Sequence, residues 1–204
     1  MVRIIGPSFE IEPVDGVALL KKIEAAGRTC YKSEGKVTDI SYIPFIVKLI
    51  QSGHESVLEH EKVTIRLICD RGVTHEIVRH RIASYSQEST RYCNYMKDQF
   101  GGEITVIDPS LFMTGDQLSW WRHAVEVAEA MYEKLIKSGL SPQIARGVLP
   151  NSLKTEIVIT YNLREWRHFF RLRTSERAHP QMREITIPLL RRFKELIPIV
   201  FDDI

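Results

Sequence analysis

The sequence predicts an α+β fold, and three observations carry that prediction. Several stretches space their apolar residues at a helical period. Others alternate apolar and polar residues in the manner of strands, and the two kinds are interleaved along the chain. No internal repeat, low-complexity tract or Gly/Ser/Pro linker interrupts the 204 residues, and 44% hydrophobic content is enough for one sizeable core, so 1–204 reads as a single domain.

From the N-terminus, Val17, Leu19, Leu20, Ile23 and Ala26 give a helix over 14–28, ended near Gly27. A second helix over 41–50 carries Ile43, Ile46, Val47 and Ile50 on one face. Val63, Ile65 and Leu67 alternate with Thr64 and Arg66, a strand over 62–69. A short helix is expected over 72–81, then a loop without clean period, then a short strand over 103–107 stopped by Asp108-Pro109. Thr114, with Gln117 three residues on as a capping-box partner, opens the longest helix, which reaches Ser138-Gly139. Ser141-Pro142 restarts a short helix, because proline suits the first helical position. Leu153 to Tyr161 alternates again; Asn162 with Glu165 caps a helix to about Thr174. His179-Pro180 starts the last helix, which Pro188 should kink or divide.

Charge narrows the class of function. Lys and Arg number 28 against 26 Asp and Glu, a net +2, whereas a dedicated nucleic-acid binder shows a strongly basic face. Cys30, Cys69 and Cys93 form no C-x-x-C pair and read as free thiols in a reducing compartment. With no membrane-length apolar run and no secretory leader, the expectation is a soluble, cytoplasmic protein. His75-Glu76-Ile77-Val78-Arg79-His80 misses the zinc-protease spacing, since Arg79 stands where the second histidine is needed; no metal is expected. Dinucleotide, Walker and Gly-x-Ser-x-Gly loops are also absent.

The residues that stand out run from Arg79 to Tyr92: three arginines, a histidine, three serines and a glutamine, with Glu88 as the only acid. A guanidinium presents a planar fork of donors that matches phosphate and carboxylate oxygens. That points to an anion site, and weak net charge with local concentration fits a pocket for a phosphorylated small molecule. Arg79, His80 and Arg81 would fan out around a helix, so a solvated helix end covers one or two of them but not the following Ser84, Ser86, Ser89 and Arg91. A second cluster holds Asn162-Leu163-Arg164, His168, Arg171, Arg173 and Arg177, with an apolar face of Trp166, Phe169, Phe170 and Leu172 on the same helix. By itself that is an amphipathic helix; beside the first cluster it offers more anion donors. Gly53 to His60 reads either as a capped turn entering the strand or as a polar wall beside a ligand, with Ser56 as donor.

Arg79-His80-Arg81, seven intervening residues and Ser89-Thr90-Arg91 resemble the signature of the flavin-dependent thymidylate synthases. Gly53-His54-Glu55 to Glu59-His60, Ala145-Arg146 to Leu149-Pro150, Asn162-Leu163-Arg164 and Leu172-Arg173 resemble that family's other blocks in order and spacing. The resemblance implies a central, mostly antiparallel sheet flanked by helices, and a homotetramer with sites where subunits meet. It implies methylation of dUMP to dTMP, with methylenetetrahydrofolate as carbon donor and NADPH as reductant through FAD, and no enzyme cysteine nucleophile. By position, Ser56, Arg79, His80, Arg81, Gln87, Asn162, Leu163, Arg164 and His168 would contact FAD. Glu76, Ile77, Val78, Arg79, Gln87, Glu88, Ser89, Thr90, Arg91, Arg146 and Arg173 would hold dUMP, with Arg173 the catalytic residue against the uracil ring. Gln87 stands where the family can have glutamate, and Glu76 where it can have glutamine. The competing reading is an RNA-binding module that uses the arginines with Tyr85, Tyr92 and Tyr95.

Overall fold

A computed structural model describes residues 2–204. Its strands are β1 (Arg3–Ile5), β2 (Ser8–Ile11), β3 (Lys62–Asp70), β4 (Ala83–Gln87), β5 (Thr105–Ile107) and β6 (Lys154–Asn162). Its helices are α1 (Gly16–Tyr31), α2 (Tyr42–Gln51), α3 (Arg71–Ile77), α4 (Asp116–Lys137), α5 (Pro142–Ala145), α6 (Leu163–Arg173) and α7 (Pro180–Leu196). The expected mixture of helix and sheet is therefore present. β2, β3, β6 and β4 lie in that order in a four-stranded sheet, while β1 and β5 pair parallel, Arg3 opposite Thr105. β3 and β6 run in opposite senses: Leu163 donates to the Glu61 carbonyl, and further along Thr64 and Thr160 share a hydroxyl hydrogen bond of 2.8 Å.

The chain packs as two compact units. The first comprises 2–8, 67–79 and 86–157; the second comprises 9–66, 80–85 and 158–204. In the first, Tyr95, Ile104, Val106, Val125, Tyr132, Ala145 and Leu153 form the core. In the second, Trp166 stacks on Phe170 at 5.5 Å and Phe193 packs on Phe201 at 5.4 Å. The Trp166 indole donates to the Val63 carbonyl at 3.0 Å, so this large ring is buried with its one polar atom satisfied.

Four local readings change. α1 runs past Gly27 to a left-handed Lys32, because a Cβ at Gly27 would meet the Phe45 ring at 2.7 Å: the glycine permits close approach of α2 rather than stopping α1. α7 is undivided at Pro188, whose position on the exposed side leaves the missing backbone hydrogen bond facing water. α3 ends at Ile77 rather than Arg81, closed by hydrogen bonds from Val78 to the Thr74 carbonyl and from Arg79 to that of Glu76. The stretch expected as loop holds β4, with Ser84 and Ser86 exposed and Ala83, Tyr85 and Gln87 turned partly inward. No helix among the described residues is long and apolar enough to cross a membrane.

Candidate active site

The second unit holds a chain of three side chains. Asn162 caps α6 by accepting from the Glu165 amide at 2.8 Å, while the Glu165 carboxylate turns toward His80. Its Oε1 lies 2.8 Å from His80 Nδ1, and Arg173 Nε donates to His80 Nε2 at 3.0 Å. His80 is buried, because the chain has left the helical path before it and turns its ring against Phe169 at 5.0 Å. Burial, with Arg173 and His168 nearby, holds the imidazole down at about 4. Burial pushes the Glu165 carboxyl up to about 7. Tyr85 reaches the His80 carbonyl at 3.1 Å and shares a hydrogen bond of 2.8 Å with Tyr161, and burial raises both phenols.

A cleft of about 430 Å³ in the same unit is lined by Arg81, Asn162, Arg164 and His168, with Glu55 and Glu59 also in its wall. Four of the residues assigned to FAD by resemblance are thus brought together, while Ser56 does not line this cleft. Arg164 pairs with Glu59 at 2.5 Å. Arg167 is wholly buried and is held by Asp203, Glu55 and the Val200 carbonyl, and Arg171 shares the same two carboxylates.

The first unit gathers most of the residues assigned to the nucleotide. Arg146 donates to the buried Thr90 hydroxyl at 3.2 Å, and Arg91 Nε donates to the Gln143 amide oxygen at 3.2 Å. Both guanidiniums are exposed. Ser89 Oγ accepts from the Arg91 amide at 3.3 Å, which tightens the turn. Gln87 donates to Thr74 at 3.0 Å and Thr155 at 3.2 Å, bonds a carboxylate would accept rather than donate. Glu88 is occupied by Tyr95 at 2.9 Å and Lys154 at 2.7 Å, so its charge is neutralised away from the turn. Arg79 is exposed just beyond α3, and Glu76, Ile77 and Val78 lie at that helix's end.

The trio His80, Glu165 and His168 is the one group of potential metal ligands close enough to share an ion among the described residues. Both His80 nitrogens are already engaged, one of them by a cationic guanidinium, which opposes a second cation there. The tyrosines invoked for RNA stacking do not form a platform: Tyr95 is buried and bonded to Glu88, and Tyr85 is bonded to Tyr161. Glu165 is the residue the sequence reading missed, having taken it only for a capping partner.

Residues 18–199 match the family model described as thymidylate synthase complementing protein. A flavin-dependent thymidylate synthase of Geobacter sulfurreducens is 36% identical over 188 residues, covering 89% of this chain and 80% of its own length. That of Pyrococcus abyssi is 32% identical over 204 residues, covering 98% and 83%. The chain belongs to the flavin-dependent thymidylate synthase family. Its fold is also that of a crystal structure of the UMP/dUMP methylase PolB from Streptomyces cacaoi bound with 5-Br dUMP, with TM-score 0.80 and 24% identity over 98% of this chain and 95% of that one. In this member of the flavin-dependent thymidylate synthase family, Arg79 and Arg81 are exposed while the histidine separating them is buried.

Proposed function

We propose that this protein methylates dUMP to dTMP, with FAD bound, methylenetetrahydrofolate as carbon donor and NADPH as reductant. The observation that carries the reading is the Thr90–Arg146 hydrogen bond, which joins two stretches 56 residues apart that the resemblance assigns to one nucleotide. Ser89, Arg91 and Arg146 supply a hydroxyl and two guanidiniums held by neutral oxygens, a donor set matched to a phosphate dianion. Arg173 would favour the N3-deprotonated uracil, since a guanidinium stabilises an anion without itself titrating.

The second-unit cleft fits an anionic, hydrogen-bonding cofactor through Arg81, Asn162, Arg164 and His168, and these would hold FAD. When bound, the flavin supplies hydride chemistry, and the protein supplies placement and charge. Cysteine nucleophilicity is disfavoured at two of three positions. Burial and Asp70 raise the Cys69 thiol, and burial and Glu88 raise that of Cys93. The reading includes one family domain, supported by a match that runs through both units, and a cytoplasmic homotetramer.

Purified protein should be yellow and form dTMP from dUMP when supplied with methylenetetrahydrofolate and NADPH. Colourless protein that takes up no FAD overturns the proposal. Arg173→Ala should keep the flavin and lose turnover by two orders of magnitude or more, about 3 kcal/mol of transition-state stabilisation. Unchanged rates would remove its assigned role.

A further inference from the structure

We propose that Glu165 is a positioning residue for Arg173, acting through His80: the carboxylate fixes the imidazole tautomer, and that tautomer latches the guanidinium. The inference rests on the role proposed for Arg173.

The argument follows from which atoms can donate. Arginine Nε–H is a donor only, so His80 Nε2, 3.0 Å away, must present its lone pair. In a neutral imidazole the proton then sits on Nδ1, where Glu165 Oε1 accepts it at 2.8 Å. His80 cannot turn to exchange these roles freely, because its ring is buried between α6 and β6, 5.0 Å from Phe169 and 6.2 Å from Tyr161. Arg173 and Glu165 sit eight residues apart on α6, so one rigid helix carries both ends of the latch and the imidazole spans them.

The latch is sensitive to one proton. If the imidazole takes it up, Nε2 becomes a donor. If Glu165 Oε1 takes it up and donates to Nδ1, the imidazole proton must move to Nε2. Either way two N–H groups face each other across the Arg173 contact and the hydrogen bond is lost. The other ionisable groups facing the pair are His168 on α6, Tyr85 on β4, Tyr161 on β6, Arg173 itself and Arg81 beside His80. The phenols are raised, so they do not change state near neutrality. The acids Glu55 and Glu59 in the adjoining cleft are engaged by Arg167, Arg171 and Arg164. Burial raises Glu165 to about 7, so a mildly acid shift supplies the proton, and the latch is lost where that proton settles on Oε1 or on the imidazole.

The test uses the full-length, flavin-loaded enzyme and three variants. Imidazole nitrogen NMR, with the His80 signal identified by its absence in His80→Gln, should report the neutral Nδ1–H form at about pH 8. A predominant Nε2–H form overturns the latch. Glu165→Leu should lower kcat about tenfold or more, with a smaller change in KM for dUMP, because only the orientation of Arg173 is lost. Glu165→Gln keeps a carbonyl acceptor for Nδ1–H, so it should recover most of kcat at pH 8. It should also move the acid limb of the kcat profile down by about a unit or more. Equal kcat in wild type and Leu variant, or an acid limb unmoved in the Gln variant, overturns the proposal. If Glu165→Leu does not fold, the tautomer and the Gln profile still decide. A wild type that binds no FAD or makes no dTMP would instead overturn the thymidylate reading, and the tautomer measurement then judges the latch by itself.

Discussion

Arginines in the two units are held in opposite ways. In the second unit, Arg167 and Arg171 are matched to Glu55 and Asp203, so their charge is cancelled within the protein. In the first unit, Arg146 and Arg91 rest on a threonine hydroxyl and a glutamine amide, which orient a guanidinium without cancelling it. Charge compensation therefore separates arginines that fasten the fold from arginines whose charge stays open, as the anion site proposed above requires. Arg173 falls between them, since its Nε partner is a neutral imidazole whose own proton is fixed by a carboxylate.

The sharpest way to break this comparison is Arg167→Met. It leaves Asp203 and Glu55 with only the half-exposed Arg171 as their shared cation and removes a donor from the buried Val200 carbonyl, so it should destabilise the protein by about 3 kcal/mol. Chemical denaturation checks it; a loss below 1 kcal/mol would mean Arg167 does not fasten this unit. Arg91→Lys should leave stability unchanged and weaken dUMP binding about tenfold, because a point charge cannot replace the fork. Calorimetry giving equal affinity contradicts the anion role of Arg91. Asp203→Asn should give the smallest effect. The Arg167 guanidinium holds the Asp203 carboxyl down at about 2, against an ordinary 3.8. A depressed acid contributes stability above its ordinary value and loses it as pH falls through about 2. With the side chain 45% exposed, solvent screening reduces that contribution to about 1 kcal/mol near pH 7. The wild-type and variant denaturation curves should converge as the pH approaches 2, and a constant gap would reject the ion pair as its source.

Much of the fold was legible because long apolar periods are local. β3, β6, α4 and α6 fall close to where their spacing put them. β4 was not read as a strand because Ala83-Ser84-Tyr85-Ser86-Gln87 carries no β-branched residue. Its polar residues suit a strand that ends the order β2, β3, β6, β4, and the exposed Ser84 and Ser86 were the available signal. Gly27 misled for the converse reason. A glycine late in a helix reads as a stop, but whether it stops the helix depends on what packs against it, here the Phe45 ring.

The sequence by itself determined the inventory: the interleaved helices and strands, the acid-poor run from Arg79 to Tyr92, and a motif specific enough to name a family. Those features survive in one dimension because periodicity, composition and spacing are properties of neighbours along the chain. Only the tertiary structure decided which cations stay uncompensated. That depends on partners as far apart as Arg167 and Asp203, Arg146 and Thr90, or His80 and Glu165, 85 residues distant. The physical reason is the short reach of a hydrogen bond. Whether a guanidinium fastens the fold or awaits an anion is set by the atom about 3 Å from it, and folding chooses that atom.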